Sequence, residues 1–192
     1  MDIRTRVLEA TIEECAEKSI YKISTISIAE NAGCSEANVF KIYKNKANLL
    51  YETFIYIDSK LIKFLDFDLP EDIETIEEFK INLKKVWETI INFFYENPKY
   101  AIFCHYFRDS KLYDSKVMEF EFNASPKLNR YFAIANEKFH IYKNINKMHY
   151  WLACLDFSIN YIKRIVEGLI PADKSTSELA FNIIIDFLSE NK

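Results

Sequence analysis

The chain predicts an all-α fold. Only two glycines and four prolines occur in 192 residues, too few to turn the many strands of a β-sandwich or to cluster in a phosphate-cradling loop. Apolar residues recur at helical spacing in segment after segment. Ser, Thr or Asn stands where several of those segments begin, the position at which a side-chain oxygen caps the first amides of a helix.

Taken in order, the first helix runs from about Asp2 to Lys18, with Ile3, Val7, Ala10 and Cys15 on its packing face. After a connection over 19–23, Ser24 caps a short helix carrying Ile26, Ala29 and Glu30. Gly33 then supplies the positive φ that a turn between helices needs. Ser35 caps a second short helix, in which Glu36, Asn38, Lys41 and Lys44 point outward and Ala37, Val39, Phe40 and Tyr43 supply the inward side. Two short capped helices around one glycine have the shape that sets a helix into the major groove of DNA.

Asn45 caps a further helix from Lys46 to about Leu65, and the acidic, proline-containing stretch from Asp66 to Glu71 reads as a loop. Asp72 or Thr75 starts a long helix that Asn97-Pro98 ends. Helices follow over about Pro98–Asp109, Ser115–Asn123, Leu128–Tyr142, Lys147–Leu169 and Ser177–Leu188, with Pro126 marking one start and Gly168 and Pro171 one break. The division expected is a three-helix helix-turn-helix domain over 1–48 and a helical effector-binding and dimerisation domain over 49–192.

The net charge is −4, against the basic balance common in nucleic-acid binders, so charge has to be read locally. Between Ser35 and Leu50 stand Lys41, Lys44 and Lys46 against the single acid Glu36, the local excess that phosphate contacts require. The apolar segment from Met148 to Ile170 is interrupted by Asp156, Lys163, Arg164 and Glu167, so no membrane span is expected. The first residues mix Asp2, Arg4, Arg6 and Glu9 in an amphipathic pattern instead of leading into an apolar core, which points to a cytoplasmic protein.

The four cysteines, Cys15, Cys34, Cys104 and Cys154, share no short spacing, so reduced thiols are expected and neither a zinc site nor a redox pair. No paired carboxylates, nucleophile with base, or metal-ligand set converges at helical spacing, so the chain reads as a non-enzyme without a cofactor. An adaptor that keeps a helical fold without binding DNA is the alternative reading.

Aromatic residues make up 16% of the chain. Those on the later helices suggest an internal pocket for an apolar or aromatic small molecule, lined by Trp87, Ile91, Phe94, Phe103, Tyr106, Tyr131 and Trp151. His105, Asn123 and Asn160 would serve as polar handles. Ordinary core packing is the competing explanation for each of these rings, and His105 and His149 read as structural histidines. The last two helices are apolar over more than one face, and a terminal hairpin of that kind finds its second partner most simply in a copy of itself, as a homodimer.

In its first fifty residues the chain resembles the DNA-binding domain of the tetracycline-repressor (TetR) family of bacterial regulators. The resemblance rests on Val7-Leu8-Glu9-Ala10, on Ile28 through Ser35, on Val39-Phe40-Lys41-Ile42-Tyr43-Lys44-Asn45-Lys46 and on Leu49. Ser19 stands where a glycine is usual in that family, Cys15 where a phenylalanine is usual, Ala37-Asn38 where Gly-Thr is common, and Phe40 where a tyrosine is common.

The resemblance implies a repressor that binds a palindromic double-stranded DNA operator as a homodimer and is released by a small-molecule effector not yet identified. It makes Ser24, Thr25, Asn38, Tyr43 and Lys46 candidate phosphate positioners and Ser35, Glu36, Ala37 and Lys41 candidate base readers. Lys46, past the Asn45 cap at the amino end of a helix, would hold a backbone phosphate. Phe40 either packs in the core or meets DNA by apolar contact. Tyr43 is either core with its hydroxyl at the rim or reaches a phosphate.

Overall fold

A computed structural model of the chain describes residues 1–65, 69–141 and 147–189, without the side chains of 147, 149–151, 174, 176 and 186–189. Among the described residues it is all-helical. The helices are α1 (Ile3–Lys18), α2 (Thr25–Asn31), α3 (Glu36–Tyr43), α4 (Lys46–Leu65), α5 (Ile76–Glu96), α6 (Pro98–Arg108), α7 (Ser115–Asn123), α8 (Pro126–Phe139), α9 (Lys147–Val166) and α10 (Lys174–Ser189). None of them is long and apolar enough to cross a membrane.

Local chemistry explains most of the boundaries. Asp2 accepts from the Thr5 amide, Ser24 from Ser27, Asn45 from Asn48 and Thr75 from Glu78, each oxygen satisfying a donor that the first turn leaves unpaired. Pro98 and Pro126 occupy first-turn positions of α6 and α8, where a missing N–H costs nothing. Between α2 and α3, Gly33 adopts φ +64°, and the Gly33 and Cys34 amides fold back onto the Glu30 and Ala29 carbonyls. Gly168 ends α9 in the same way, at φ +71°, with Gly168 and Leu169 bonded to Ile165 and Arg164. Both are Schellman closures, which need a left-handed residue after the helix.

The amino-terminal head packs Val7 and Cys15 of α1, Ile28 of α2, Val39 and Tyr43 of α3 and Leu49 of α4 into one core. Burial pushes the Cys15 thiol up to about 12. The expected boundary at 48 falls inside the first turn of α4, which is one unbroken helix serving both halves: Leu49 and Leu50 are buried near its start, and Phe54 stacks on Phe107 of α6 at 4.6 Å. In the body α6 packs most extensively on α9 and also reaches α1. Where the sequence suggests a terminal hairpin, α10 packs chiefly on α5, with Phe181 against Trp87 and Glu178 3.7 Å from Lys84. The start of α10 lies at Lys174, a turn before the expected Ser177, and α8 ends at Phe139, short of the expected Tyr142.

Ser19, the residue after α1, holds φ +66° and ψ 157°, a region that is essentially reserved for glycine and costs other residues on the order of 1–3 kcal/mol. The Ser19→Gly variant is expected to be more stable by about 1 kcal/mol, because relief of strain exceeds the added freedom of the unfolded chain. Thermal unfolding followed by circular dichroism should register a rise of roughly 2–4 °C.

Candidate nucleic-acid interface

α3 is short, so two buried positions one turn apart settle its orientation. Val39 and Tyr43 enter the head core, and Ala37, Asn38, Phe40 and Lys41 are exposed. Ser35 caps the helix by accepting from the Asn38 amide at 3.3 Å. The structure differs here from the expectation that Ala37 and Phe40 face inward: Phe40 is 43% exposed. At helical spacing 37 and 40 fall outside the stripe that 39 and 43 define. The core alternative for Phe40 is thereby removed, and its ring is free to make apolar contacts.

Tyr43 departs in the other direction. It is 2% exposed, its hydroxyl donates to the Arg4 carbonyl at 2.9 Å, and burial pushes the phenol up to about 12. It is a core residue pinning the end of α3 to α1, and a phosphate would have to displace Arg4 to reach its hydroxyl. The Arg4 guanidinium lies 5.9 Å from the Tyr43 ring, which brings an exposed cation beside the end of α3. Periodicity places Arg4 on α1 and gives no sign of this neighbour.

Lys46 is half-buried, and its ammonium donates to the Ile23 carbonyl at 2.7 Å, with burial lowering its pKa. It ties the start of α4 to the connection before α2, and two of its three N–H donors remain for another acceptor. Thr25 and Glu36 are also joined, hydroxyl to carboxylate at 2.5 Å. That bond clamps the start of α2 to the start of α3 and engages both side chains. Ser24 is exposed and exchanges bonds with Ser27, which also donates to Glu14 of α1 at 3.1 Å. Lys22, Lys41 and Lys44 are exposed around this surface; Lys44 closes α3 at φ +67°.

The residues expected to line one effector pocket do not come together. Trp87 lines a narrow cavity between α5, α8, α9 and α10 with Leu83, Phe132, Leu155, Ser158 and Phe181. The gaps between the lining side chains, open mouth included, come to about 400 Å³, of which about 30 Å³ is wide enough for water. Phe94 and Phe103 are fully buried core, Phe103 stacking on Phe107 at 6.0 Å, and Ile91 is buried as well. Tyr131 stacks on Phe79 and lines a surface recess near Leu69 and Arg130.

Asn123 borders another open recess, beside Phe120, and its amide donates to the Glu119 carbonyl. His105 and Tyr106 are half-buried neighbours on α6, and burial together with nearby Lys163 lowers the His105 pKa. Asn160 is exposed and bonded to the Asp156 carbonyl. The Trp151 and His149 side chains lie outside the described residues. Aromatic spacing along a helix reports burial but does not separate a ring in a core from a ring beside a gap, and among the described residues of the expected set Trp87 alone meets this cavity.

One polar cluster connects the head to the body, and a second lies within the body. Glu9 of α1 accepts from Tyr56 (2.5 Å), Tyr100 (2.9 Å) and Lys60 (3.1 Å), and the Lys60 ammonium lies 4.2 and 4.9 Å from the Tyr56 and Tyr100 ring centres. Burial alone would raise the Glu9 carboxyl, but those three donors outweigh it and hold it low. Deeper in the body Arg108 pairs with Glu121 and, at 2.7 Å, with Asp156, above the Tyr113 ring. Asp58 of α4 is buried near this cluster with one carboxylate oxygen unbonded. Burial first, and then Glu121, push its carboxyl up to about 7 against the pull of Arg108.

No family model and no curated protein matches the chain. Among solved structures it is similar to a TetR family transcription regulator from Marinobacter aquaeolei VT8, with 22% identity, 96% of this chain and 94% of that one covered, and a TM-score of 0.70. It is also similar to the fatty acid degradation regulator FadR from Bacillus halodurans (16%, 96% and 94% covered, TM-score 0.67) and to a TetR-family transcriptional regulator from Haemophilus influenzae RD (18%, 94% and 95%, 0.66).

Removing the Tyr43 hydroxyl tests its bond to the Arg4 carbonyl. The Tyr43→Phe variant is expected to lose about 1 kcal/mol of stability in urea unfolding.

Asp58 has a pH signature. Its folded carboxyl holds the proton more tightly than the unfolded chain, whose value is near 3.8, so its contribution to stability declines as pH rises from about 4 through 7. The Asp58→Asn variant should match the parent at pH 4 and exceed it by on the order of 3 kcal/mol at pH 8 in urea unfolding.

From α1 to α10, over nearly its whole length, the chain has the fold of the TetR family of transcription regulators.

Proposed function

We propose that this protein is a DNA-binding transcriptional regulator, a repressor that grips a palindromic operator as a homodimer and releases it when a small apolar effector enters the cavity beside Trp87. The observation that carries the reading is α3: a serine-capped helix with Val39 and Tyr43 in the core and Ala37, Asn38, Phe40 and Lys41 open to solvent. Lys41, Lys44 and Lys22 supply positive charge to phosphates, Asn38 can read an adenine edge, and Phe40 suits a thymine methyl.

One such head buries too little surface for tight specific binding. The second comes from a copy of the chain related by a two-fold axis, so that two α3 helices enter successive major grooves about one helical turn apart. Val166 at the end of α9, Leu169 just after it, and Leu179 and Ile183 on α10 are exposed apolar residues, Leu169 at 66%, and they support the reading that the last two helices form the dimer face.

The regulatory step is a population shift. The effector favours a dimer in which the two α3 helices sit at a separation that successive grooves do not accept, so effector and operator oppose each other through geometry.

Fluorescence anisotropy with labelled DNA from upstream of the protein's own gene tests the reading. Binding that weakens steeply with salt is expected. Lys41→Ala should weaken it and lower the salt slope by about 1. A folded protein that binds no DNA at any salt would leave the adaptor reading in its place.

A further inference from the structure

We infer that the cavity between α5, α8, α9 and α10 takes an uncharged, largely apolar ligand that offers one hydrogen-bond acceptor, such as a ketone or ester oxygen, to the Trp87 indole N–H. The inference rests on the reading of this cavity as the effector site and adds the chemical class of the occupant.

The lining sets the class by what it can and cannot pair. Among the described lining residues none is acidic, basic or histidine. A carboxylate or ammonium group entering this space would give up its hydration with no counter-charge to replace it, so ions of either sign are disfavoured. Ring faces alone can attract a cation, yet no carboxylate among the described lining residues is there to balance one.

Trp87 is 5% exposed, and its indole nitrogen is buried without a hydrogen-bond partner. Indole N–H can only donate, and a buried donor that no protein group pairs carries a penalty that a ligand oxygen would remove. Ser158, the hydroxyl in the lining, already donates to the Cys154 carbonyl at 2.7 Å. It has no second proton to give, so among the described lining residues the Trp87 N–H is the strong donor without a partner.

Shape adds a second criterion. The part of the cavity wide enough for water is about 30 Å³, so an occupant must part the rings around it. Trp87 sits 6.2–6.4 Å from Phe157, Tyr161 and Phe181 in tilted arrangements, contacts that a flat apolar molecule can replace with its own. Phe181 belongs to α10 and Phe157 to α9, so parting these rings strains the helices assigned above to the dimer face.

The test uses the full-length protein without DNA, and four probes on one benzene skeleton followed by ligand-detected NMR titration: acetophenone, ethylbenzene, benzoate and phenyltrimethylammonium. Acetophenone should bind, ethylbenzene about tenfold more weakly, and the two ions not measurably at the same concentrations. In the Trp87→Phe variant, verified as folded by its melting curve, acetophenone should fall to the affinity of ethylbenzene while ethylbenzene keeps its own.

Binding of either ion as tight as that of the ketone would overturn the inference. So would equal binding of ketone and hydrocarbon to the parent, a ketone preference that survives Trp87→Phe, or no binding of any probe up to its solubility limit. Because the assay contains no DNA, the outcomes separate: a protein that takes the ketone but no operator keeps this inference and loses the regulator reading. One that binds operator but no ketone does the reverse.

Discussion

Burial of Val39 and Tyr43 in the head is the constraint on which the rest depends. A helix of eight residues has room for one narrow buried stripe, and once these two positions are taken the remaining side chains are committed to solvent. Tyr43 reinforces the choice through its bond to the Arg4 carbonyl, the Thr25–Glu36 bond sets where the helix starts, and Lys46 ties α4 to the carbonyl of Ile23. Four of the residues expected at a DNA surface thus work by holding α3 in place, and Ala37, Asn38, Phe40 and Lys41 are left to meet a partner. Precise presentation of a few side chains by a rigid small core is what groove recognition asks of a protein.

The head is not an independent bead on a string. α4 runs unbroken from one core to the other, and Glu9 gathers two tyrosines and a lysine from α4 and α6 around a single carboxylate. α6 rests on α9, one wall of the cavity, and ends in Arg108, which is held between Glu121 and Asp156. On the proposed function, a ligand that spreads α5 from α9 alters the surface on which α6 lies, and α6 touches the head directly through α1. Packed side chains are stiff, so a displacement at the cavity has a contiguous route to α3.

What could be read from the sequence divides by the range of the interaction. The caps Ser24, Ser35, Asn45 and Thr75, the Gly33 turn and the Pro98 start depend on residues within one turn of each other, and all are visible as local patterns. The partners of Tyr43 and Lys46 lie 39 and 23 residues away in the chain, and no local pattern announces them. The sequence leaves Phe40 open between core and surface, because an apolar residue on an amphipathic helix suits either, and the packing of 39 and 43 into the inward stripe is what leaves it outside. In the body, Phe94, Phe103 and Trp87 follow the same periodicity, but two are sealed in the core and one faces a gap. That difference comes from how four helices meet, which a single helix does not encode. Ser19 is the converse case, a strained residue whose φ of +66° explains why a glycine is usual at that position in the proteins its sequence resembles.

The most direct measurement of the central claim is amide hydrogen exchange of the intact protein with and without DNA from upstream of its own gene. Slowed exchange concentrated at residues 35–44 and at the first turn of α2 is the expected result. DNA that binds while those amides exchange unchanged, with protection elsewhere on the molecule, would contradict the account.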